Sequence, residues 1–349
     1  MDRIKKIVPV DRKYADLAQA RWDSVAKPLR SFGLLEDMWD RIAAVQRTDT
    51  PNIFNRAVVV MCADNGVVAE GVTQSDNTVT SVCAKEIASG RSNINVLADV
   101  YRAEVVTVDI GIARDIHCKG LLSRKVAFGS NNIAVGPAMT LEQAEEAIMT
   151  GMDIVHDLSI KGIKLIVTGE MGIGNTTPTA AIASVLLGLP PDMVTGRGAG
   201  LSSEGLERKI AVVKRAIKVN SPFSGDPIEL LSKVGSYEIA GMVGLYLGGA
   251  VYGITVVIDG VISAAAAAIA ALISPYSVDY MLAGHVSAEP AGRGLIGKLG
   301  LHAVIDGGLK LGEGTGGILL LPLLDGAAAI YYNSHRFDVS GIERYVELK

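Results

Sequence analysis

A glycine-rich turn near the middle of the chain combines residue types that suit the binding of an anion. The segment GEMGIGNTT (169–177) follows the apolar run IKLIVT (163–168) and leads into an Ala-rich helical pattern. Glycines let the backbone approach a ligand closely, and the free N–H groups at the start of a helix favour a negative charge. Thr176 and Thr177 can cap the helix and donate their hydroxyls to a phosphate. The segment therefore predicts a phosphate-binding turn between a buried strand and a helix.

Two further glycine-rich turns each carry a charged side chain. TGRGAGL (195–201) contains Arg197, and LGEGTGG (311–317) contains Glu313 and Thr315. One such turn is often only a connection between two elements, whereas three of them favour a small phosphorylated ligand.

The standard motifs for phosphate and metal binding do not fit. The sequence has no GxxxxGK[ST] loop, and GRGAGL lacks the third glycine of a dinucleotide-binding turn. Asp259 is followed by glycine, whereas a loop that binds phosphoribosyl pyrophosphate needs two adjacent acids. The five histidines form no HxxxH pair, so no metal site is predicted.

Composition narrows the classes of protein to which the chain can belong. The 349 residues are 49% apolar and only 5% aromatic, with 39 glycines, as in a large α/β protein. A net charge of −4 without a basic stripe argues against nucleic-acid binding. Three scattered cysteines predict reduced thiols and a cytoplasmic protein. The most membrane-like stretch (253–274) is interrupted by Asp259, so no membrane span is predicted.

The elements that must position the turns are strands buried on both faces. Apolar runs without alternation are typical of parallel sheets, and helical patterns separate most of the runs. The predicted strands cover 57–64, 104–111, 163–170, 254–260 and 280–287. In open α/β sheets the ligand lies beyond the carboxyl ends of the strands. The candidate surface therefore consists of Asp64-Asn65-Gly66, Asp109–Gly111, Gly169-Glu170, Asp259-Gly260, His285, Ser287 and Glu289.

Helical periodicity dominates both ends of the chain. Residues 11–46 show two helical patterns, and Leu/Ala-rich helices resume after residue 295. The predicted fold is an α/β protein with a large Rossmann-like domain and a mostly parallel sheet. A small helical domain is expected from residues 1–54 and part of 291–349, the segment that also carries the Glu313 turn. Residues 55–290 are expected to form the large domain.

Four motifs together resemble those of the nicotinate-nucleotide–dimethylbenzimidazole phosphoribosyltransferase family. They are GEMGIGNTT, GRGAGL with Lys209 downstream, HVSAEP (285–290) and LKLGEGTG (309–316). KPLRSFGLLE (27–36) and ADNGVVAEGVTQSDNTVT (63–80) are also similar to family segments. The similarity runs in unbroken order from about residue 20 to about residue 340.

The resemblance implies an enzyme, a pentosyltransferase that needs no cofactor. It would transfer the phosphoribosyl group of nicotinate mononucleotide to a lower-ligand base in the synthesis of cobamides, giving an α-glycosidic nucleotide and nicotinate. Glu313 corresponds to the catalytic base, although a carboxylate there can also cap a helix. Glu170 is implied near the ribose and the base. The implied phosphate and ribose site comprises Gly172, Gly174, Asn175, Thr176, Lys209, Gly314 and Thr315, and the implied acceptor site comprises Asn65, Ser75 and Asn77.

The departures from the family pattern leave two hypotheses open. Asn65 replaces a histidine, the segment around Ser75 lacks a proline, Ala199 replaces a threonine, and Gly292 replaces another histidine. These changes favour an altered acceptor, such as phenol or p-cresol in place of a benzimidazole. The alternative is a catalytically weak subunit that pairs with an active, related chain. The resemblance implies a dimer, either of two identical subunits or with a related one.

Overall fold

A six-stranded parallel sheet forms the centre of the computed structural model, which describes residues 2–346. The strands are β1 (Arg56–Ala63), β2 (Glu104–Gly111), β3 (Leu121–Ser123), β4 (Leu165–Met171), β5 (Thr255–Ile258) and β6 (Met281–Ala283). The α/β fold with a parallel sheet is therefore confirmed. Strand β3 was not predicted from the sequence, because a run of three residues carries no distinct pattern. The prediction for β6 was too long, since the chain leaves the sheet and His285 pairs instead with Ile305.

The strand order is β3-β2-β1-β4-β5-β6, so successive strands are added on one side of β1 as far as β3 and on its other side from β4 onwards. From β1 the chain extends the sheet through β2 and β3 on one side, then crosses over to β4 on the other side. The loops that follow β1 and β4 consequently diverge, which opens a crevice at the carboxyl ends of the strands. The sheet topology thus places the GEMGIGNTT turn, which begins in β4, at the edge of this crevice.

Fifteen α-helices surround the sheet within the described residues. Their bounds are α1 (Arg12–Trp22), α2 (Leu34–Gln46), α3 (Thr78–Ala88), α4 (Asn93–Tyr101), α5 (Leu141–Ile160), α6 (Thr176–Leu187), α7 (Pro191–Val194), α8 (Ser203–Asn220), α9 (Pro227–Val234), α10 (Tyr237–Tyr252), α11 (Val261–Ile273), α12 (Gly292–Lys298), α13 (Thr315–Ile318), α14 (Leu320–Asn333) and α15 (Phe337–Ser340). Three 3-10 helices span Asp2–Lys6, Gly66–Glu70 and Pro275–Tyr280.

Each face of the sheet has its own apolar core. Ala57, Val59 and Met61 of β1 point into a core shared with α5, α10 and α11. The alternate residues, among them Val58 and Val60, point into a second core, to which α1–α4 and α14 contribute. Burial on both faces explains why β1 is apolar without alternation.

The amino-terminal helices pack against a carboxy-terminal one. The rings of Trp22 and Trp39 lie with their centroids 4.9 Å and 5.5 Å from that of Tyr331 in α14. The two ends of the chain are therefore joined through an aromatic cluster. The division into a large and a small domain stays a prediction, and the outermost residues of its segments, Met1 and 347–349, lie outside the described residues.

One helical stretch, Thr315–Asn333, is long and apolar enough by length and composition to cross a membrane. Its most apolar window has a mean hydropathy of 1.3, and 56% of that window is buried inside the protein. Leu320, Leu321 and Leu324 lie in the second core. The stretch therefore packs as a core helix does.

Helices α5 and α10 pack so closely that an added side chain at their crossing is expected to destabilise the fold. Gly244 has no side chain, and a Cβ there would lie 2.9 Å from the Cα of Gly151 and closer still to the carbonyl oxygen of Ile148. We expect Gly244→Ala to lower the free energy of unfolding by about 1–3 kcal/mol, because the helices would have to separate. Urea denaturation measures the change.

The matched control is Gly326→Ala in α14, where no atom lies within 4 Å of the added Cβ. Relief of the glycine entropy term should stabilise this variant by about 0.5–1 kcal/mol. Equal stability of the two variants would contradict the close packing of α5 against α10.

Candidate active site

A single cleft at the carboxyl ends of β4, β5 and β6 brings the three glycine-rich turns together. It encloses about 1000 Å³ measured out to its open mouth. Its lining includes residues 72–75 after β1, residues 170–176, residues 197–199 with Leu201, residues 259–263 and residues 310–313. The turns lie far apart in sequence, so the cleft depends on the packing that brings the segments after β4, β5 and β6 together.

The GEMGIGNTT turn has no room for larger side chains. A Cβ on Gly172 would lie 2.7 Å from the carbonyl oxygen of Ala63 and 2.8 Å from Oε1 of Glu238. Gly174 has a φ of +89°, which side chains rarely adopt. Helix α6 begins directly afterwards at Thr176. The N–H of Thr177 already donates to the carbonyl oxygen of Gly174 over 3.0 Å, and residue 178 is a proline, so the N–H groups of Gly174 and Thr176 are the ones left for a ligand in the cleft. The backbone is therefore shaped to receive an anion.

Glu170, at the end of β4, is almost completely buried beside the turn. Its side chain is 7% exposed, and the amide of Asn175 donates a hydrogen bond to Oε2. Burial raises the pKa of Glu170 to about 8, and the charges of Asp259, Glu238 and Glu313 act in the same direction, against the Asn175 hydrogen bond. Glu170 is therefore protonated in much of the protein at neutral pH.

This raised pKa makes stability depend on pH. Between pH 4.5 and 8 the folded protein holds a proton on Glu170 that the unfolded chain has lost, so stability should fall as pH rises through this window. Glutamine cannot ionise and can still accept from Asn175. Urea denaturation should therefore show Glu170→Gln close to the wild type at pH 4.5 and more stable than it at pH 8.5. A difference that does not change with pH would contradict the assigned pKa.

Lys209 of α8 is a buried cation with one hydrogen-bond acceptor. Its side chain is 1% exposed, and Nζ donates to Oγ1 of Thr176 over 2.6 Å. Burial lowers the pKa of Lys209 to about 8, although the charge of Glu289 favours the ammonium form. An anion bound beside Thr176 would offset this burial and favour the charged form of Lys209. Lys209 and the start of α6 are thus positioned side by side where an anion could contact both.

Glu313 occupies a strained turn that faces the same cleft. Its φ of +62° lies between φ values of +90° at both Gly312 and Gly314. Its side chain is 8% exposed, and Oε2 accepts a hydrogen bond from the backbone N–H of Ile94 over 3.2 Å. Ile94 lies in the first turn of α4, so Glu313 does cap a helix start. A cost of order 1–3 kcal/mol for such backbone is typical of functional positions, and the carboxylate lines the cleft.

Asp259, at the end of β5, also reaches the cleft. Its Oδ1 accepts a hydrogen bond from the backbone N–H of Gly317 over 2.7 Å and lies 3.6 Å from Nε2 of His285. Burial alone would lower the pKa of His285, but the hydrogen bond and charge of Asp259 outweigh it and raise that pKa. This pair supports the turn that follows Glu313, because the His285 ring lies against Gly316.

The structure places most of the implied site residues in the cleft. Those that line it are Ser75, Glu170, Gly172, Gly174, Asn175, Thr176, Lys209 and Glu313. Thr315 lies behind its turn, where Oγ1 donates to the carbonyl oxygen of Gly312 over 2.7 Å, and Gly314 adjoins it. Asn65 is buried and donates to Oε1 of Glu238 over 2.9 Å. Asn77 precedes α3 and is not among the lining residues.

The predicted strand-end surface is divided in the structure. Asp259, Ser287 and Glu289 line the cleft, as the strand ends predicted. Asp64 and Asp109 do not, because their carboxylates accept hydrogen bonds from the backbone N–H groups of Ala113 and Ile112, directly after β2. The expectation of one continuous surface was therefore wrong for β1 and β2.

Polar lining side chains that were not singled out from the sequence include Thr73, Gln74, Ser263 and Lys310. No local pattern distinguishes them from other polar residues of loops and helix starts. Across residues 2–346, no three His, Cys, Asp or Glu side chains are grouped so that they could hold a metal ion.

Comparison with known proteins agrees with this arrangement. A family model described as phosphoribosyltransferase, DBI_PRT, matches residues 7–342. A nicotinate-nucleotide–dimethylbenzimidazole phosphoribosyltransferase of Acetivibrio thermocellus is 42% identical over 98% of this chain and 97% of its own length. The protein of the same name from Ruminiclostridium cellulolyticum is 41% identical over 100% of this chain and 99% of its own length.

Solved structures point to the same family. The crystal structure of CobT from Thermus thermophilus superposes with a TM-score of 0.90 at 40% identity, covering 95% of this chain and 100% of that one. The chain therefore belongs to the nicotinate-nucleotide–dimethylbenzimidazole phosphoribosyltransferase family.

Proposed function

We propose that this chain transfers the phosphoribosyl group of nicotinate mononucleotide to an aromatic lower-ligand base. The products are an α-glycosidic nucleotide of the kind used in cobamides and free nicotinate. The observation that carries the proposal is the presence of Glu313, Glu170 and the Lys209–Thr176 pair in one cleft. Membership of the phosphoribosyltransferase family supports it. We further propose a cytoplasmic enzyme that functions as a dimer, either of identical subunits or with a related one.

The donor's 5′-phosphate binds where the anion-binding features meet. The backbone N–H groups of Gly174 and Thr176 and the hydroxyl of Thr176 donate hydrogen bonds to its oxygens, and Lys209 supplies the charge. Gly172, Gly174 and Asn175 keep the backbone close to the ligand. Gly314 and Thr315 contribute through the shape of the facing turn. The ribose then extends towards Glu170, whose protonated carboxyl group can donate a hydrogen bond.

The transfer is a displacement at C1′ of the ribose. The bond between C1′ and the pyridinium nitrogen breaks, and its electron pair neutralises the ring, so nicotinate leaves without protonation. The acceptor atom forms the new bond to C1′ from the opposite face, which inverts the β configuration to α. The acceptor loses a proton in this step, and the Glu313 carboxylate accepts it. The Ile94 N–H holds that carboxylate in the cleft.

The acceptor, a benzimidazole, phenol or p-cresol, binds beside Glu313. Of the three residues implied for its site, Ser75 lines the cleft, whereas Asn65 and Asn77 lie outside the lining. Gly292 stands where the family has a histidine, and a Cβ there would lie 2.7 Å from the carbonyl oxygen of Ser287. A histidine at this position would therefore need a different local backbone. This supports a difference between this chain and the family pattern near Ser287, which lines the cleft.

The deciding experiment assays the purified chain with nicotinate mononucleotide and a panel of benzimidazoles and phenols. Release of nicotinate together with an α-nucleotide is the expected result. The alternative is a catalytically weak subunit that pairs with a related, active chain. If turnover appears only after that second chain is added, and persists when Glu313 here is mutated, the alternative holds.

A further inference from the structure

Three cationic side chains line the cleft, and they differ in what they contact. Lys209 is buried against Thr176. Arg197 is held by its own loop, because Nη1 donates to the carbonyl oxygen of Leu201 over 2.8 Å and Nη2 to Oγ of Ser203 over 3.2 Å. Lys310 is exposed and, within the described part of the chain, forms no hydrogen bond or ion pair. Lys310 is therefore the cleft cation left for a ligand.

Lys310 has no ion-pair partner within the described residues, although several carboxyl groups line the same cleft. Asp259, Glu289, Glu170 and Glu313 all line it. Each carboxyl group already has a partner in the protein: the backbone N–H groups of Gly317, Gly198 and Ile94, and the amide of Asn175. These hydrogen bonds hold the carboxyl groups in place, so none of them has turned to pair with Lys310.

The backbone places Lys310 next to the reacting centre. It lies three residues before Glu313, and the intervening Gly312 packs so closely on Glu170 that an added Cβ would lie 2.8 Å from Oε1. The segment that carries Lys310 therefore packs over Glu170, beside the proposed ribose position. A flexible lysine side chain there can reach a group attached to the donor's ring.

We propose that Lys310 binds the carboxylate of the nicotinate ring and so selects a donor with a ring carboxylate over one with a carboxamide. The proposal rests on the proposed function, in which the donor has two anionic groups. Lys209 serves the phosphate, and the ring carboxylate needs a second cation because the lining is otherwise rich in acids. A carboxamide has no charge, so Lys310 would attract it far less than a carboxylate.

The test compares nicotinate mononucleotide with nicotinamide mononucleotide. Titration calorimetry measures the binding of each donor, and steady-state assays measure kcat/KM, with the wild type, Lys310→Met and Lys310→Arg. Methionine removes the charge but keeps an unbranched chain. We expect Lys310→Met to weaken the binding of nicotinate mononucleotide about 10-fold, as for loss of one charged hydrogen bond, and to leave the carboxamide donor unchanged. Arginine should retain the preference for the carboxylate.

The matched control is Lys298→Met, which removes the same charge from an exposed position outside the lining residues. This variant should bind both donors like the wild type. Equal weakening of both donors by Lys310→Met would assign Lys310 to the phosphate and overturn the proposal, as would no change with either donor. Calorimetry measures donor binding without turnover. A wild type that binds the donor but shows no turnover would contradict the proposed function, and the comparison of Lys310 variants by calorimetry would still test the present proposal.

Discussion

Replacement of Glu313 by glutamine is expected to lower kcat by about 10²–10⁴-fold, the usual contribution of a positioned general base. Glutamine has the same size, and its amide oxygen can still accept the hydrogen bond that Ile94 donates to Glu313. The turn should therefore keep its shape while the proton acceptor is lost. Steady-state rates with dimethylbenzimidazole and with phenol measure the effect, and the thermal unfolding midpoint checks that the variant is folded.

The loss should depend on the acidity of the acceptor. A phenol that carries nitro groups is already ionised at neutral pH, so its attack on C1′ needs no base. We expect Glu313→Gln to lower the rate with such an acceptor much less than the rate with phenol. An equal loss with both acceptors would assign Glu313 to shaping the site through its hydrogen bond to Ile94. Wild-type turnover by the variant with every acceptor would remove Glu313 from the mechanism.

Replacement of Lys209 by methionine is expected to raise the KM for nicotinate mononucleotide by about 10–100-fold, as for loss of a charged hydrogen bond to a phosphate. The phosphate stays bound from substrate to product, so its contacts contribute to binding in both the ground state and the transition state. Such a contact changes KM more than kcat. Methionine keeps the length of the side chain and suits a position that is 1% exposed.

The control for Lys209 lies on the same helix. Lys218→Met in α8 removes an exposed lysine outside the cleft lining and should leave the KM unchanged. An unchanged KM in Lys209→Met would remove Lys209 from the phosphate site. A fall in kcat with constant KM would instead indicate that Lys209 contributes only in the transition state.

Local patterns were enough to predict most of the sheet. Five of the six strands carry apolar runs that identify them, because a strand covered on both faces must be apolar at every position. The glycine-rich turn before α6 was also predictable, since the glycines before Thr176 and the helix that begins there are neighbours in sequence, while its role in anion binding stays a prediction. The unusual backbone of the Glu313 turn follows from its flanking glycines. These features depend on residues close together in the chain.

The sequence by itself thus determined the fold class, the family and the turns that bear the chemistry. Only the tertiary structure decided which turns meet, because no local pattern predicts the packing that brings the segments after β4, β5 and β6 to one cleft. Asp64 and Asp109 lie outside the cleft that contains Glu170, although all three end apolar strands, because backbone N–H groups of the segment after β2 hold their carboxylates. The packing of α8 against α6 brings the buried Lys209 to Thr176, which is 33 residues away. The environment of a buried side chain such as Lys209 depends on packing between distant segments, which cannot be predicted from its neighbours in the sequence.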